Sequence, residues 1–188
     1  MKARITPKKE IILLYHLDRV KNADRLVAML KMQGLEYKEV SEEELCFTTG
    51  ELAGYQAKKE HEAYEGKIPE TSAMAMGGLS SKKLDAILTG MRKEQVELPV
   101  KMVITPHNES WEFGYLIGQV EEEHLTFVEM ERLDKLTKIV EKGEVSDLQK
   151  ELLKKGKVLM AAMNKREDQQ PEKEDFAALC DEIEKTLK

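Results

Sequence analysis

The first forty residues carry a hydrophobic pattern that predicts a strand, an amphipathic helix and a second strand. Residues 11–15 read IILLY, a compact apolar run that is typical of a strand buried on both faces. Apolar side chains then recur at helical spacing between Asn22, a favourable N-cap, and Gly34, a natural residue to follow a helix. Residues 35–40 largely alternate, which indicates an edge strand with one face in water.

The same pattern returns between residues 72 and 105. A short apolar run at residues 73–76 leads through a Ser80 cap into a second helical stripe, and residues 100–105 read VKMVIT, a strongly β-prone run. The two helical stripes align with each other without gaps. The pattern predicts an α+β fold in which two strand-helix-strand units share one small, ferredoxin-like sheet. A doubly wound, fully parallel sheet is the alternative.

Further helices are predicted beyond the second unit. Asn108 is placed to cap a helix that carries Trp111, and Trp111 is expected to pack in the core. Apolar stripes at helical spacing continue toward the C-terminus, and Pro171 opens the last of them. We therefore expect an α+β domain at residues 1–124 and a helical extension at residues 125–188, whose stripes either fold back on the domain or pair with a second chain.

Composition narrows the classes of partner. The 188-residue chain has a net charge of −6 and a pI of about 5.4, which argues against general binding of nucleic acid. The densest basic stretch, residues 154–157, is interpreted as a solvated helix face. No apolar stretch resembles a membrane span or a secretory signal peptide. With Cys46 and Cys180 interpreted as reduced thiols, we expect a cytoplasmic protein that binds neither nucleic acid nor membranes.

Two strand-to-helix turns, residues 77–81 and residues 105–108, are the candidate ligand site. A turn that enters a helix N-terminus exposes N–H groups and the positive end of the helix dipole, which suits an anionic group. The two preceding strands are linked by one helix and should be parallel, so their turns should share an edge of the sheet. Whether the turn at residues 16–19 joins them depends on the topology. The candidate ligand-binding residues are Gly77, Gly78, Ser80, Ser81, Thr105, His107 and Asn108.

Catalytic and metal-binding signatures are scarce. None of the four histidines falls in an H-E-x-x-H arrangement, and the chain contains neither a G-x-S-x-G nucleophile turn nor a phosphate-binding P-loop. We expect no metal and no cofactor. The predicted function is a non-enzymatic protein-interaction or regulatory binding module that forms a homo-oligomer or holds a protein partner through its C-terminal helices. The alternative is a sensor or enzyme that binds a small anionic molecule at the two turns.

Four stretches of the chain resemble one bacterial domain family of unknown function. They read ILLYHLD, GELAGY, AMGGLSSKKLDAIL and LPVKMVITPHNESWEFGYLIGQVEEEH, and the resemblance spans about residues 9–125. In the last stretch, a T-P-x-N-x-x-W motif connects an apolar strand to an amphipathic helix. The resemblance implies no activity. Its matching residues are Thr105, Pro106, Asn108, Trp111 and His124.

The GELAGY segment, residues 50–55, places two glycines and two bulky side chains in a connection. Gly50 and Gly54 permit a positive φ or a close approach of backbones. Leu52 and Tyr55 are expected to anchor the segment over the core, and a loop that closes on a ligand or partner is the alternative. The charged residues that follow, 58–70, are interpreted as a variable linker.

Overall fold

The computed structural model describes residues 8–163 and 170–187, which fold into two compact units. The first unit extends to Glu121 and the second begins at Glu122. The helices and strands, in chain order, are β1 Ile11–Tyr15, α1 Ala23–Met32, β2 Tyr37–Val40, α2 Thr49–Leu52, β3 Ala73–Gly77, α3 Ser81–Lys93, β4 Val100–Val103, α4 Phe113–Val140, α5 Asp147–Met163 and α6 Lys173–Lys185.

The first unit is built around a four-stranded sheet with the strand order β2-β1-β3-β4. Strand β1 is parallel to β2, with Ile12 opposite Tyr37, and β3 is parallel to β4, with Ala73 opposite Val100. Each parallel pair is joined by one helix, α1 or α3. The α+β fold is confirmed, and so are the two strand-helix-strand units within one sheet.

The finer prediction of a ferredoxin-like sheet is not confirmed. In that split β-α-β arrangement, a strand of the other unit lies between the two strands of each unit. Here the strands of each unit are direct neighbours, and the units meet where β1 pairs with β3. That pairing is antiparallel, with Leu13 opposite Ala75, which also excludes the fully parallel alternative.

Both faces of the sheet are covered, so β1 and β3 are buried along their whole length. Helices α1 and α3 cover one face, where Leu26, Leu30, Ile87 and Met91 pack on Ile12, Leu14, Met74 and Met76. The segment around α2 and the first turns of α4 cover the other face. Its core contains Leu13, Tyr15, Ala75, Met102, Leu45, Leu52, Phe113, Leu116 and Ile117.

The second unit contains the later part of α4 together with α5 and α6. Their apolar stripes pack on each other and form a separate core of Leu133, Leu136, Val140, Leu152, Leu153, Phe176, Leu179, Cys180 and Ile183. The apolar stripes of the C-terminal helices, whose packing partner the sequence does not specify, are therefore buried largely against each other within this unit. No helix in residues 8–163 and 170–187 is both long and apolar enough to cross a membrane.

Candidate functional site

The turn after β4 is stabilised by hydrogen bonds from its own side chains to its backbone. The Asn108 side chain accepts a hydrogen bond from the Thr105 N–H at 2.8 Å through Oδ1 and donates one to the Val103 carbonyl at 3.0 Å through Nδ2. Thr105 Oγ1 in turn accepts a bond from the Asn108 N–H. Thr105 and Asn108, the polar residues of the T-P-x-N motif, thus fix the path of the chain as it leaves the sheet.

Helix α4 begins at Phe113, so the prediction that Asn108 is its N-cap is wrong. The first N–H groups of α4 are satisfied by a distant segment of the chain instead. The Phe113 N–H donates to the Phe47 carbonyl at 3.0 Å, and the Gly114 N–H donates to the Leu45 carbonyl at 3.1 Å. This helix N-terminus is consequently occupied by backbone oxygens.

The GELAGY segment holds the residues before α4 in place. The Thr49 N–H donates to the Trp111 carbonyl at 2.9 Å, and the Gly50 N–H donates to the Glu109 carbonyl at 2.7 Å. A Cβ atom at position 50 would lie 2.9 Å from that Glu109 oxygen, so the approach requires glycine. Tyr55 then donates from its hydroxyl to the Lys9 carbonyl, which ties the end of the segment to the start of β1.

A buried carboxylate, Glu51, fastens the charged segment that follows. Its side chain is 2% exposed and accepts hydrogen bonds from the Thr48 N–H at 2.8 Å and from the Lys59 N–H at 3.0 Å. His61 Nε2 lies 2.9 Å from Glu51 Oε2. Burial opposes ionisation, but the bonds from His61, Thr48 and Lys59 outweigh it and lower the pKa of Glu51 to about 2. Residues 58–70 are therefore tied to the core through Glu51 and His61.

Three aromatic side chains form a row on the surface beside this turn. The ring centres of His107 and Trp111 are 5.1 Å apart, those of Trp111 and Tyr115 are 5.4 Å apart, and both pairs meet close to edge-on. His107 and Tyr115 are exposed, whereas Trp111 is half-buried and packs against the core of the first unit. We refer to these three residues as the aromatic row.

A cleft of about 290 Å³ adjoins the aromatic row at Tyr115. Tyr64 forms one wall and packs so closely on Gly114 that a Cβ atom there would lie 2.6 Å from the Tyr64 ring. Burial raises the pKa of Tyr64, and so does the charge of Glu112, which also lines the cleft. We refer to it as the acidic cleft; its lining is His61, Glu62, Ala63, Tyr64, Glu65, Gly66, Glu112 and Tyr115.

The carboxylates of the acidic cleft lack partners of opposite charge. Within residues 8–163 and 170–187, no ion pair involves Glu62, Glu65 or Glu112. The same part of the chain contains no cluster of three or more His, Cys, Asp or Glu side chains arranged to hold a metal ion. The cleft therefore presents uncompensated negative charge between aromatic walls.

The two turns predicted to bind an anion do leave the same end of the sheet, because β3 and β4 are parallel. Ser80 Oγ caps α3 by accepting from the Lys83 N–H at 3.4 Å, and Ser81 is the first residue of that helix. Gly78, at a φ of +69°, leaves no room for a side chain beside the Lys8 and Lys9 backbone. Anion binding at these turns stays a prediction.

The turn at residues 16–19 lies at the opposite end of the sheet. Strand β1 is antiparallel to β3, so Tyr15 pairs with Ala73, and Ser72 Oγ donates to the His16 carbonyl at 2.9 Å. His16 and Asp18 consequently do not join His107 at one site.

Sequence reasoning missed the tertiary role of Glu51 and the exposure around Trp111. The spacing of Thr48 and Glu51 is a capping-box signature, and the structure contains that box. That signal marks a helix start, but it does not reveal that the same carboxylate also binds His61 ten residues later. Trp111 does pack on the core as predicted, yet its ring also contacts the exposed rings of His107 and Tyr115.

Comparison with known protein families gives a match over one segment of the chain. Residues 72–127 match the family model described as Domain of unknown function (DUF3783). The match extends from the residue before β3 into α4 and includes the Thr105–Asn108 turn and the whole aromatic row. The predicted resemblance to a domain family of unknown function is thus confirmed over these residues. No curated protein and no solved structure matches the chain.

Proposed function

We propose that this protein is a non-enzymatic protein-interaction module whose first unit binds a basic segment of a partner protein. One observation carries the proposal: the aromatic row lies beside a cleft whose carboxylates have no ion-pair partners in the described residues. A lysine or arginine side chain of the partner would enter the acidic cleft, while its neighbours would pack on Trp111 and Tyr115.

The chemistry of the surface suits such a ligand. A lysine or arginine cation gains energy over an aromatic face, by about 0.5–1 kcal/mol at exposed sites and about 2 kcal/mol when desolvated. Tyr64 and Tyr115 supply aromatic walls, and Glu112 lies near the Tyr64 hydroxyl. Aromatic residues are also enriched at protein interfaces, because they bury a large area for little loss of rotamer freedom.

The surroundings of this surface are well ordered by hydrogen bonds. The Trp111 carbonyl accepts a hydrogen bond from the Thr49 N–H, and the Asn108 side chain accepts one from the Thr105 N–H in the turn before it. A surface that keeps its bound shape in the free protein loses little entropy on binding. We also propose a cytoplasmic location, which is supported by the free, buried thiols of Cys46 and Cys180.

Fluorescence of Trp111, the single tryptophan of the chain, tests this proposal directly. We expect a short oligo-arginine peptide to change the Trp111 emission in a saturable manner, whereas an oligo-glutamate peptide of equal length leaves it unchanged. The Glu112→Gln variant should weaken binding about three- to tenfold, which corresponds to about 0.7–1.4 kcal/mol.

A matched control separates the acidic cleft from the net charge of the protein. Glu39→Gln removes the same charge from an exposed position on β2 that does not line the acidic cleft. It should bind the peptide as the unaltered protein does. If both peptides bind alike, or if Glu39→Gln weakens binding as much as Glu112→Gln, the acidic cleft is not the binding site.

A further inference from the structure

The second unit carries a groove of about 590 Å³ between α5 and α6, which shares no lining residue with the acidic cleft. Its floor is apolar and includes Val158, Leu159, Ala178 and Leu179. Val158 is 63% exposed although it is an apolar residue of this floor. Exposed apolar floors of this kind are typical of surfaces that receive another helix. We refer to it as the α5/α6 groove.

The two rims of the α5/α6 groove have opposite charge. The charged lining residues on α5 are Lys154, Lys155 and one acidic residue, Glu151. The charged lining residues on α6 are Asp175 and Glu182, which are both acidic. Lys155 pairs with Glu151 within its own helix. No ion pair within the described residues joins α5 to α6 or involves Lys154 or Glu182. A basic rim and an acidic rim thus face the same groove without neutralising each other.

The hydrogen bond between Gln149 and Thr186 sets the register of these two rims. Lys154 lies five residues beyond Gln149 on α5, and Glu182 lies four residues before Thr186 on α6. Because the two helices are antiparallel and each residue rises by about 1.5 Å, Lys154 and Glu182 lie at nearly the same level of the unit.

We propose that the α5/α6 groove is the surface through which two copies of this chain form a dimer. A two-fold axis parallel to the helices lays α5 of each copy over α6 of the other. Lys154 of each copy then faces Glu182 of the second copy, and the two Val158 side chains are removed from water. A two-fold axis perpendicular to the helices instead lays α5 on α5, which brings the two basic rims together and is disfavoured.

The size of the face sets the expected strength of the dimer. The thirteen residues of α6 are about 20 Å long and two adjacent helices are about 20 Å wide, so the contact is at the low end of specific interfaces. We therefore expect a dissociation constant in the micromolar range.

Sedimentation velocity of the full chain over micromolar concentrations tests the dimer. The unaltered protein should approach twice the 21.5 kDa mass of one chain. Lys154→Glu or Glu182→Lys alone places like charges opposite each other and should weaken dimerisation at least about tenfold. The double variant restores the opposite charges across the interface and should recover the dimer. Val158→Glu, at an exposed position, should abolish it without unfolding the helices.

The matched control is Lys157→Glu, which makes the same charge reversal on α5 outside the lining of the groove and should leave the dimer unchanged. Helical content from circular dichroism verifies that each variant folds. A protein that keeps the mass of one chain throughout overturns the proposal. A dimer that is insensitive to both single charge reversals also overturns it, because its interface then lies elsewhere.

Discussion

At the scale of single residues, Glu51 joins the start of α2 to the charged segment that follows it. It caps α2, binds His61 and receives the Lys59 N–H, all from a position with almost no exposure to solvent. A buried carboxylate is tolerated only when its oxygens are satisfied, and here both oxygens are. Removing its charge should therefore affect both the helix cap and the segment that follows.

We predict that Glu51→Gln lowers the free energy of unfolding by roughly 1–3 kcal/mol at neutral pH, because hydrogen bonds to a buried charge are lost. The pKa of Glu51 is lowered in the folded state, so its contribution to stability is complete above its usual pKa of 4.5 and is lost as the pH falls toward about 2. Urea unfolding followed by Trp111 fluorescence measures both effects.

When the pH is lowered from about 4.5 to about 2, the free energy of unfolding of Glu51→Gln should therefore fall by less than that of the unaltered protein. Glu39→Gln, at an exposed position, is the control and should unfold as the unaltered protein does. Parallel pH profiles for Glu51→Gln and the unaltered protein would contradict the assigned role of Glu51.

Two glycines of the first unit give opposite predictions. Gly50→Ala forces Glu109 and the GELAGY segment apart and should cost roughly 1–3 kcal/mol, because both contacting groups are backbone or closely packed. Gly118→Ala, in the interior of α4, meets no atom within 4 Å and should be neutral or stabilise by up to about 1 kcal/mol. Thermal unfolding of the two variants compares them, and an equal effect of both would contradict the close approach at Gly50.

At the scale of elements, the turn between β4 and α4 determines where the aromatic row lies. We predict that Asn108→Ala destabilises the first unit by roughly 1–2 kcal/mol, because the Thr105 N–H and the Val103 carbonyl lose their partner. The emission of Trp111 should shift to longer wavelength as its ring becomes more exposed. Ser110→Ala changes an exposed residue of the same turn and should leave stability and emission unchanged.

Elements with a strong internal period were predictable from the sequence, and those fixed by distant partners were not. Helices α1 and α3 follow directly from their apolar spacing, and Ser80 caps α3 as predicted. The Asn22 side chain does not cap α1; it donates to the Glu94 and Gln95 carbonyls instead. The start of α4 was misplaced because Thr105 and Asn108 imitate a helix cap locally, whereas the real partners are the Phe47 and Leu45 carbonyls. A local sequence window contains no information about such a pairing.

The order of the strands in the sheet could not be predicted from the sequence for a related reason. The ferredoxin-like order and the observed one both place β1 and β3 at the centre of the sheet, so their apolar runs fit either order. The two orders differ in whether the edge strands β2 and β4 pair with the inner strand of their own unit or of the other unit, which the hydrophobic pattern does not report. The charge of residues 58–70 predicts a linker, whereas Tyr64 and His61 tie these residues to the first unit.

At the scale of the whole molecule, each unit has a hydrophobic core of its own. We predict that Phe176→Ala destabilises the second unit by roughly 3–5 kcal/mol, because Phe176 is completely buried there. Circular dichroism should record an earlier loss of helix, while Trp111 fluorescence, which reports on the first unit, should keep its transition. Leu148→Ala, at a 59% exposed position, is the control. If the Trp111 transition falls together with the helix signal, the two cores are not independent.

The antiparallel junction of β1 and β3 relates the two strand-helix-strand units by a local two-fold rotation through Leu13 and Ala75. The equivalent turns of the two units therefore lie at opposite ends of the sheet. Residues 16–19 lie at one end and residues 77–81 lie at the other. Substitutions that reshape one end leave the geometry of the other intact, although both ends share one core. A sheet built in this way can therefore change one end under selection while the opposite end continues to stabilise the fold.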